Sequence, residues 1–237
     1  MKPIRTIILG AAGRDFHNFN TYFRDNDKYR VVAFTAAQIP NIENKRYPNS
    51  LTGEDYGQGI PIYSESLLPE LVKSMNIELC VLSYSDISNQ KVMEIAAGVQ
   101  ALGTNFMLLG PGSTQLKSKK PVIAVTAART GAGKSQVVDY VAEFLTKINV
   151  KYTVIRHPMP YGKLEKQRVQ IYNYVGDLDN YNTTIEEREE YEKHLVKGRT
   201  VLAGIEYSEI LKEAESRSEV ILWDGGNNDF PFIKPDL

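Results

Sequence analysis

Short apolar runs alternate with amphipathic segments through the first half of the chain. Strands are predicted at residues 4–9, 31–36, 78–84 and 105–109, and helices around residues 17–23 and 89–102. Continuous runs of Val, Ile and Leu are typical of parallel strands that are buried on both faces. Because strands alternate with helices, the pattern predicts an α/β fold, here a Rossmann-like doubly wound domain.

That pattern stops near residues 110–120 and then starts again. Gly110, Pro111 and Gly112 precede a basic stretch, which is typical of a domain boundary, although a solvated loop within one sheet has the same composition. Further strands are predicted at residues 122–126, 152–155 and 220–223, and helices at residues 134–147, 185–195 and 208–216. The sequence therefore predicts two domains, residues 1–115 and residues 119–237.

A glycine-rich segment follows the first predicted strand of the second domain and opens its first helix. It reads Ala128-Arg129-Thr130-Gly131-Ala132-Gly133-Lys134-Ser135. A strand, a glycine loop and a helix in this order are the context that a phosphate-binding P-loop requires. Residues 119–237 are therefore predicted to be a P-loop NTPase domain that binds ATP or GTP together with Mg²⁺.

Each part of this loop has a predicted role. Backbone N–H groups and the helix N-terminus attract phosphate oxygens, and Gly131 and Gly133 let the backbone come close to them. Lys134 is predicted to reach the β- and γ-phosphates, and the Ser135 hydroxyl to join the Mg²⁺ shell. The predicted nucleotide contacts are Thr130, Gly131, Ala132, Gly133, Lys134, Ser135 and Gln136.

Two positions of the loop depart from the usual pattern. Ala128 replaces the first glycine, so the turn needs a negative φ there or carries strain. Arg129 stands where P-loop proteins related to dethiobiotin synthetase and the nitrogenase iron protein carry a second "signature" lysine. An arginine at this place either clamps phosphate oxygens with its planar fork or is a solvated loop residue.

An acidic residue at the end of a neighbouring strand is also needed to order Mg²⁺. Asp224 follows the apolar run of residues 220–223 and is the predicted metal residue, although an aspartate there could also cap a helix. The small, polar residues 225–229 are expected to lie close to a nucleotide. Asp229, at the end of this segment, is either a second acid or a turn residue.

Arg156 and His157 leave another predicted strand at the sheet edge where α/β proteins bind ligands. With the proline- and glycine-containing residues 158–162, they are predicted to face an anionic co-substrate, although a rigid structural turn would have the same sequence. The acidic stretch of residues 186–194 is interpreted mainly as a solvated helix face.

The turn after the first strand, Gly10-Ala11-Ala12-Gly13-Arg14-Asp15, lies where dinucleotide folds place their glycines. The second predicted strand ends without an acid for a ribose, which disfavours an NAD-dependent reaction. Anion binding by Gly13, Arg14 and the backbone of this turn stays open.

Composition narrows the class of partner. A formal net charge of −1 gives no overall attraction for nucleic acid or an anionic membrane. Cys80 is the only cysteine and lies in an apolar run, so neither a disulfide framework nor a cysteine zinc site is expected. The N-terminal apolar run is too short for a signal peptide, and no stretch approaches the roughly 20 apolar residues of a membrane span. A cytoplasmic protein is expected.

Four segments carry a specific resemblance to a known family: residues 130–136, residues 156–162, residues 184–191 and residues 223–229. In these segments the chain resembles cyclic 2,3-diphosphoglycerate synthetase and its relatives, often labelled predicted GTPases, and a looser resemblance spans the rest of the chain. The resemblance implies ATP-driven closure of an intramolecular phosphoanhydride by phosphoryl transfer on a phosphorylated, anionic small molecule. Its catalytic residues would be Lys134, Arg129, Arg156 and His157, and its metal residues Ser135 and Asp224.

The resemblance leaves the activity and the assembly open. A regulatory GTPase or nucleotide-binding module with slow hydrolysis is the alternative to a ligase, and no Asn-Lys-x-Asp guanine motif occurs in the chain. A closed site shared across a homodimer is common among P-loop proteins with the signature residue. Members of the resembled family are nearly twice as long, so the chain is expected to be the N-terminal part of a longer protein, truncated within its P-loop domain.

Overall fold

The computed structural model describes residues 2–11, 13–37, 45–157 and 163–237. The chain divides into two compact units, Met1–Thr114 and Gln115–Leu237. Each unit is built on its own sheet, in which most neighbouring strands are parallel. The predicted α/β class is therefore confirmed for both halves of the chain. No helix among the described residues is long and apolar enough to cross a membrane.

The sheet of the first unit has the strand order β3-β4-β2-β1-β5-β6. Its strands are β1 (Ile4–Leu9), β2 (Tyr29–Ala36), β3 (Arg46–Tyr47), β4 (Ile60–Ser64), β5 (Leu79–Leu82) and β6 (Asn105–Leu108). Its helices are α1 (Arg14–Asn18), which continues into a π-helical turn (Phe19–Phe23), α2 (Asn49–Thr52), α3 (Leu68–Ser74), α4 (Asn89–Ala101) and α5 (Pro111–Thr114). Strand β3 pairs antiparallel with β4, and the other strands pair in parallel.

Successive residues of a strand point to opposite sides of the sheet, and in this sheet apolar residues pack on both sides. Ile7 and Leu9 belong to an aliphatic core that includes Cys80. On the other side, Phe34 belongs to an aromatic cluster in which the rings of Phe16 and Tyr47 stack with centroids 4.6 Å apart. Burial on both faces explains why the strands read as continuous apolar runs.

The sheet of the second unit has the order β7-β11-β8-β10-β9. Its strands are β7 (Val122–Ala127), β8 (Tyr152–Arg156), β9 (Val169–Tyr172), β10 (Val201–Gly204) and β11 (Val220–Asn227), and its helices are α6 (Lys134–Lys147), α7 (Asp177–Asn180), α8 (Ile185–Leu195) and α9 (Tyr207–Arg217). Only β9 pairs antiparallel among these described strands. Because β11 lies between β7 and β8, Asp224 is in register with Val125 on one side and Arg156 on the other.

Opposite faces of this sheet pack against different helices. Leu222 belongs to a core formed with α6 and α8, whereas Trp223 belongs to a core formed with α9 and Phe232. Alternation along β11 therefore turns Asp224, like Leu222, towards the face that α6 and α8 cover. The carboxylate of Asp224 on β11 is therefore directed towards the point where the glycine-rich loop ends and α6 begins.

Candidate functional site

The loop between β7 and α6 contains two glycines in the left-handed region, Gly131 with φ 81° and Gly133 with φ 87°. Gly133 caps α6, and its carbonyl accepts hydrogen bonds from the N–H groups of Gln136 and Val137 at 3.1 and 3.2 Å. Ala128 is not among the described non-glycine residues with positive φ, so an alanine meets the backbone requirement at that position. The first N–H groups of a helix lack intrahelical acceptors, which makes this end of α6 suitable for an anion.

Lys134, the first residue of α6, forms an ion pair with the carboxylate of Asp224. The other carboxylate oxygen, Oδ2, lies 2.6 Å from Arg156 Nη1. Asp224 is fully buried, and Arg156 is almost so. The structure therefore brings three residues predicted from separate segments into one cluster, where the carboxyl end of β8 lies beside Asp224 of β11.

The negative charge of Asp224 is stabilised by the neighbouring side chains of this cluster. Burial by itself raises the pKa of Asp224, but the hydrogen bond from His194 and the charges of Arg156 and Lys134 outweigh it and hold the pKa well below its usual range. Burial lowers the pKa of Lys134, and the attraction of Asp224 only partly offsets that effect. Asp224 is thus an anion compensated by several neighbouring cations.

Arg156 has unused hydrogen-bonding capacity in spite of its burial. Its Nη2 lies 2.9 Å from Glu190 Oε2 and its Nη1 lies 2.6 Å from Asp224 Oδ2, whereas its Nε has no hydrogen-bond acceptor among the described residues. A buried guanidinium N–H without an acceptor is costly. The arrangement therefore suits an anionic ligand that supplies an acceptor for Nε.

His157 follows Arg156 and pairs with the predicted second acid. Its Nε2 lies 2.8 Å from Asp229 Oδ2, and its ring lies 5.1 Å from that of Phe232. Asp229 is almost completely buried, so it is held against His157. Residues 158–162, predicted to form a co-substrate loop, lie outside the described residues.

Helix α8, interpreted from sequence mainly as a solvated face, also reaches the site. Glu190 contacts Arg156, Lys193 donates to Ser135 Oγ at 3.3 Å, and His194 Nε2 lies 3.1 Å from Asp224 Oδ2. Their positions i, i+3 and i+4 place them on one face of the helix. The spacing of these three residues can be counted in the sequence, but the many glutamates around them favour the interpretation of a solvated helix face.

His194 is held in a defined tautomer. Arg199 Nη1 lies 3.4 Å from His194 Nδ1 and 2.5 Å from Asp139 Oδ1. An arginine can only donate, so Nδ1 accepts and Nε2–H donates to Asp224. Burial lowers the pKa of His194 below its ordinary value, which agrees with a neutral imidazole.

These groups surround a cavity of about 580 Å³. It is lined by Arg129, Thr130, Gly131, Ala132, Gly133, Lys134, Ser135, Gln136, Arg156, His157, Glu190, Gly225, Gly226 and Asn227. The cavity thus joins the predicted nucleotide contacts to the predicted catalytic side chains, with the buried Asp224 behind them.

A hydrogen bond connects the loop to β11, because Asn227 Nδ2 donates to Thr130 Oγ1 at 2.8 Å. Arg129 is exposed and has no side-chain partner among the described residues.

The two predicted metal residues share one neighbour. Lys193 Nζ lies 3.3 Å from Ser135 Oγ and 3.8 Å from Asp224 Oδ2. The described part of the chain contains no cluster of three or more His, Cys, Asp or Glu side chains that could hold a metal ion. A metal bound here would therefore take its other ligands from phosphates and water, as Mg²⁺ commonly does.

In the glycine turn of the first unit, backbone N–H groups donate hydrogen bonds to a side chain of the same turn. Asp15 Oδ1 accepts hydrogen bonds from the N–H groups of Gly13 and Phe16, at 3.1 and 2.7 Å. The N–H of Gly13, considered from sequence for anion binding, is therefore already used within the chain.

Comparison with known proteins gives one strong likeness. The chain is 56% identical over 236 residues to a protein named arginine synthetase ArcE, from Thermococcus kodakarensis, and the match covers 100% of this chain and 53% of that protein. The chain thus spans about half the length of that relative. No protein-family model matches. A solved structure of UDP-D-quinovosamine 4-dehydrogenase from Vibrio fischeri is 20% identical and covers 46% of this chain and 79% of its own, with a TM-score of 0.35, too low for a comparison of folds.

Proposed function

We propose that the second unit binds the phosphates of a nucleoside triphosphate with Mg²⁺ and carries out the phosphoryl-transfer step of a synthetase reaction. The observation that carries this proposal is the joining of a glycine-capped helix N-terminus, the Lys134 ammonium at its first residue and the buried carboxylate of Asp224 on the adjacent strand. In P-loop enzymes these are the parts that hold phosphates and order a metal ion.

The residues present fit such a ligand. Arg156, with its unused Nε–H, and the exposed Arg129 add positive charge to the phosphate end of the cavity. Ser135 and Asp224 would hold Mg²⁺. When bound, the metal would neutralise phosphate charge and favour in-line geometry.

The proposed step moves the γ-phosphoryl group to an oxygen of an acceptor. That oxygen attacks phosphorus, the bond to the bridging oxygen breaks, and the nucleoside diphosphate leaves. Lys134 would turn from Asp224 to the phosphates, and Arg156 would supply donors to the charge that spreads over the equatorial oxygens. His157 and residues 225–227 at the end of β11 line the rest of the cavity, where the acceptor would lie.

Two acceptor classes follow from the likenesses. The name of the 56% identical relative points to a reaction that forms arginine, and the sequence resemblance to cyclic 2,3-diphosphoglycerate synthetase points to a phosphate oxygen. Both need an oxygen that is first phosphorylated and then displaced by a second nucleophile. We favour ATP-dependent synthetase chemistry of the arginine synthetase type, because that likeness is an identity of 56% over 236 residues. A regulatory GTPase is the alternative.

Isothermal titration calorimetry tests the nucleotide step. ATP and GTP are titrated with Mg²⁺ into the chain, into Lys134→Ala and into Lys147→Ala, which removes an exposed lysine from the last turn of the same helix. We expect micromolar binding that Lys134→Ala abolishes and Lys147→Ala leaves intact. Absence of binding to either nucleotide, or equal binding by both variants, would refute the proposal.

The acceptor is tested by adding a second ligand. Arginine, as the product of one reaction, is titrated into the chain saturated with ADP, and 2,3-diphosphoglycerate, as the acceptor of the other, into the chain saturated with a non-hydrolysable ATP analogue. Binding of arginine alone supports the arginine synthetase type, and binding of 2,3-diphosphoglycerate alone supports the phosphoanhydride reaction. Preference for GTP without binding of either compound would support the GTPase alternative.

A further inference from the structure

We infer that Lys193 is a built-in cation that occupies the magnesium position of the nucleotide site and makes nucleotide binding less dependent on the metal. This inference rests on the proposed function and concerns a residue outside the predicted motif. Lys193 belongs to the last turn of α8, and its ammonium reaches across to the first turn of α6.

The surroundings of the ammonium consist of the oxygen donors that a hard divalent cation prefers. Lys193 Nζ lies 2.8 Å from Glu190 Oε2, 3.3 Å from Ser135 Oγ and 3.8 Å from Asp224 Oδ2. Because an ammonium can only donate, it uses a lone pair of the Ser135 hydroxyl, the same atom that would bind Mg²⁺. Lysine and metal therefore compete for one position.

Charge requires that one cation leaves when the metal enters. Lys134 turns to the phosphates when nucleotide binds, but Arg156 and Lys193 still face Asp224, and a dication placed beside both would meet strong repulsion. Lys193 is the group best able to move, since its side chain is 28% exposed, whereas those of Lys134 and Arg156 are 12% and 6% exposed. Its contact with Glu190 on the same helix gives it a place to stay after displacement.

The same geometry gives Lys193 a role without metal. With no divalent ion present, its ammonium remains beside Ser135 and adds a positive charge at the phosphate end of the cavity. Metal-free nucleotide should then be bound through Lys193, and metal-bound nucleotide without it. Replacing Lys193 should consequently affect the two modes of binding in different ways.

The test measures nucleotide affinity, not activity. ATP is titrated by calorimetry in excess Mg²⁺ and in EDTA into the wild-type chain, Lys193→Met and Lys197→Met. Lys197 lies one turn further along, pairs with Asp139 and Glu143, and controls for the loss of one positive charge near α8. We expect Lys193→Met to weaken binding in EDTA by about tenfold and to leave binding with Mg²⁺ equal or tighter, while Lys197→Met changes neither.

Each other outcome overturns the inference. Equal weakening in both conditions would make Lys193 an ordinary phosphate contact, and no change in either would make its contacts purely structural. Both of these results leave the proposed function standing. A wild-type chain that binds no ATP in either condition would remove the proposed function and this inference with it. Circular dichroism of each variant shows whether the fold is retained.

Discussion

His194 Nε2 lies 3.1 Å from Asp224 Oδ2, and both side chains are buried. A helix that reads as a run of charged residues thus contributes a neutral donor to the carboxylate at the centre of the site. Arg199 fixes the tautomer from the other side of the ring. The orientation of Asp224 is therefore set by groups that need not touch a ligand themselves.

The first prediction concerns the pH dependence of stability. Burial lowers the pKa of His194 below 6.5, so the unfolded chain binds more protons than the folded chain just below that pH. The contribution of His194 to the free energy of unfolding is complete above pH 6.5 and falls as the pH drops towards its folded pKa. His194→Gln keeps a side-chain N–H donor for Asp224 but does not titrate, so part of this loss should disappear. Urea unfolding across this pH range measures it.

A matched control for that experiment is Ile185→Ala, an exposed position of the same helix without a titratable group. Because neither side chain binds a proton, it should leave the slope of stability against pH unchanged. If His194→Gln retains the full wild-type slope, His194 is not the titrating group.

The second prediction concerns the buried carboxylate. Asp224→Asn removes the anion that Lys134 and Arg156 share and leaves two cations in a buried place. Breaking a buried ion pair in this way typically costs about 3–5 kcal/mol of unfolding free energy. Asp179→Asn breaks the exposed pair with Arg188 and should cost about 1 kcal/mol or less. Comparable losses in the two variants, measured by urea unfolding, would contradict the central role of Asp224.

The third prediction concerns the backbone of the loop. Gly133 has φ 87°, where an alanine is strained by about 1–2 kcal/mol, so Gly133→Ala should destabilise the chain and weaken ATP binding. Gly98 lies inside α4 with open space around the position of a Cβ, so Gly98→Ala should be neutral or stabilise by about 0.5–1 kcal/mol. Thermal unfolding with and without ATP separates the two effects. Equal behaviour of both variants would show that the left-handed conformation at Gly133 is not needed.

Long apolar strands and strongly periodic helices could be predicted from the sequence, because burial on both faces leaves an unmistakable pattern. Helices α6 and α8 have the predicted bounds, and β11 begins where predicted but continues to Asn227. Strands β3, β4 and β9 were missed. All three strands are short, and β4 contains a proline, Pro61. Strand β9 lies at the edge of its sheet, and its polar and apolar residues alternate.

Only those parts of the candidate site that a short, contiguous stretch of sequence specifies could be predicted. The loop could be read because its glycines, Lys134 and Ser135 are contiguous, and Asp224 because it directly follows an apolar strand. The parts played by Glu190, Lys193 and His194 depend on how α8 lies against β11. That placement comes from the packing of Tyr191 and Leu195 in the core, which no local pattern specifies.

The last prediction concerns the hydrogen bond that joins the loop to β11. Asn227 Nδ2 donates to Thr130 Oγ1 at 2.8 Å, near the surface, so Asn227→Ala should cost only about 1 kcal/mol of stability. It should nevertheless weaken ATP binding a few-fold, because an untethered loop must be ordered on binding. Thr130→Val removes the acceptor and should have the same effect, and the double variant should be no weaker than either single one. Calorimetric titration of the three variants checks this. Additive losses would show that the two side chains act on the nucleotide separately.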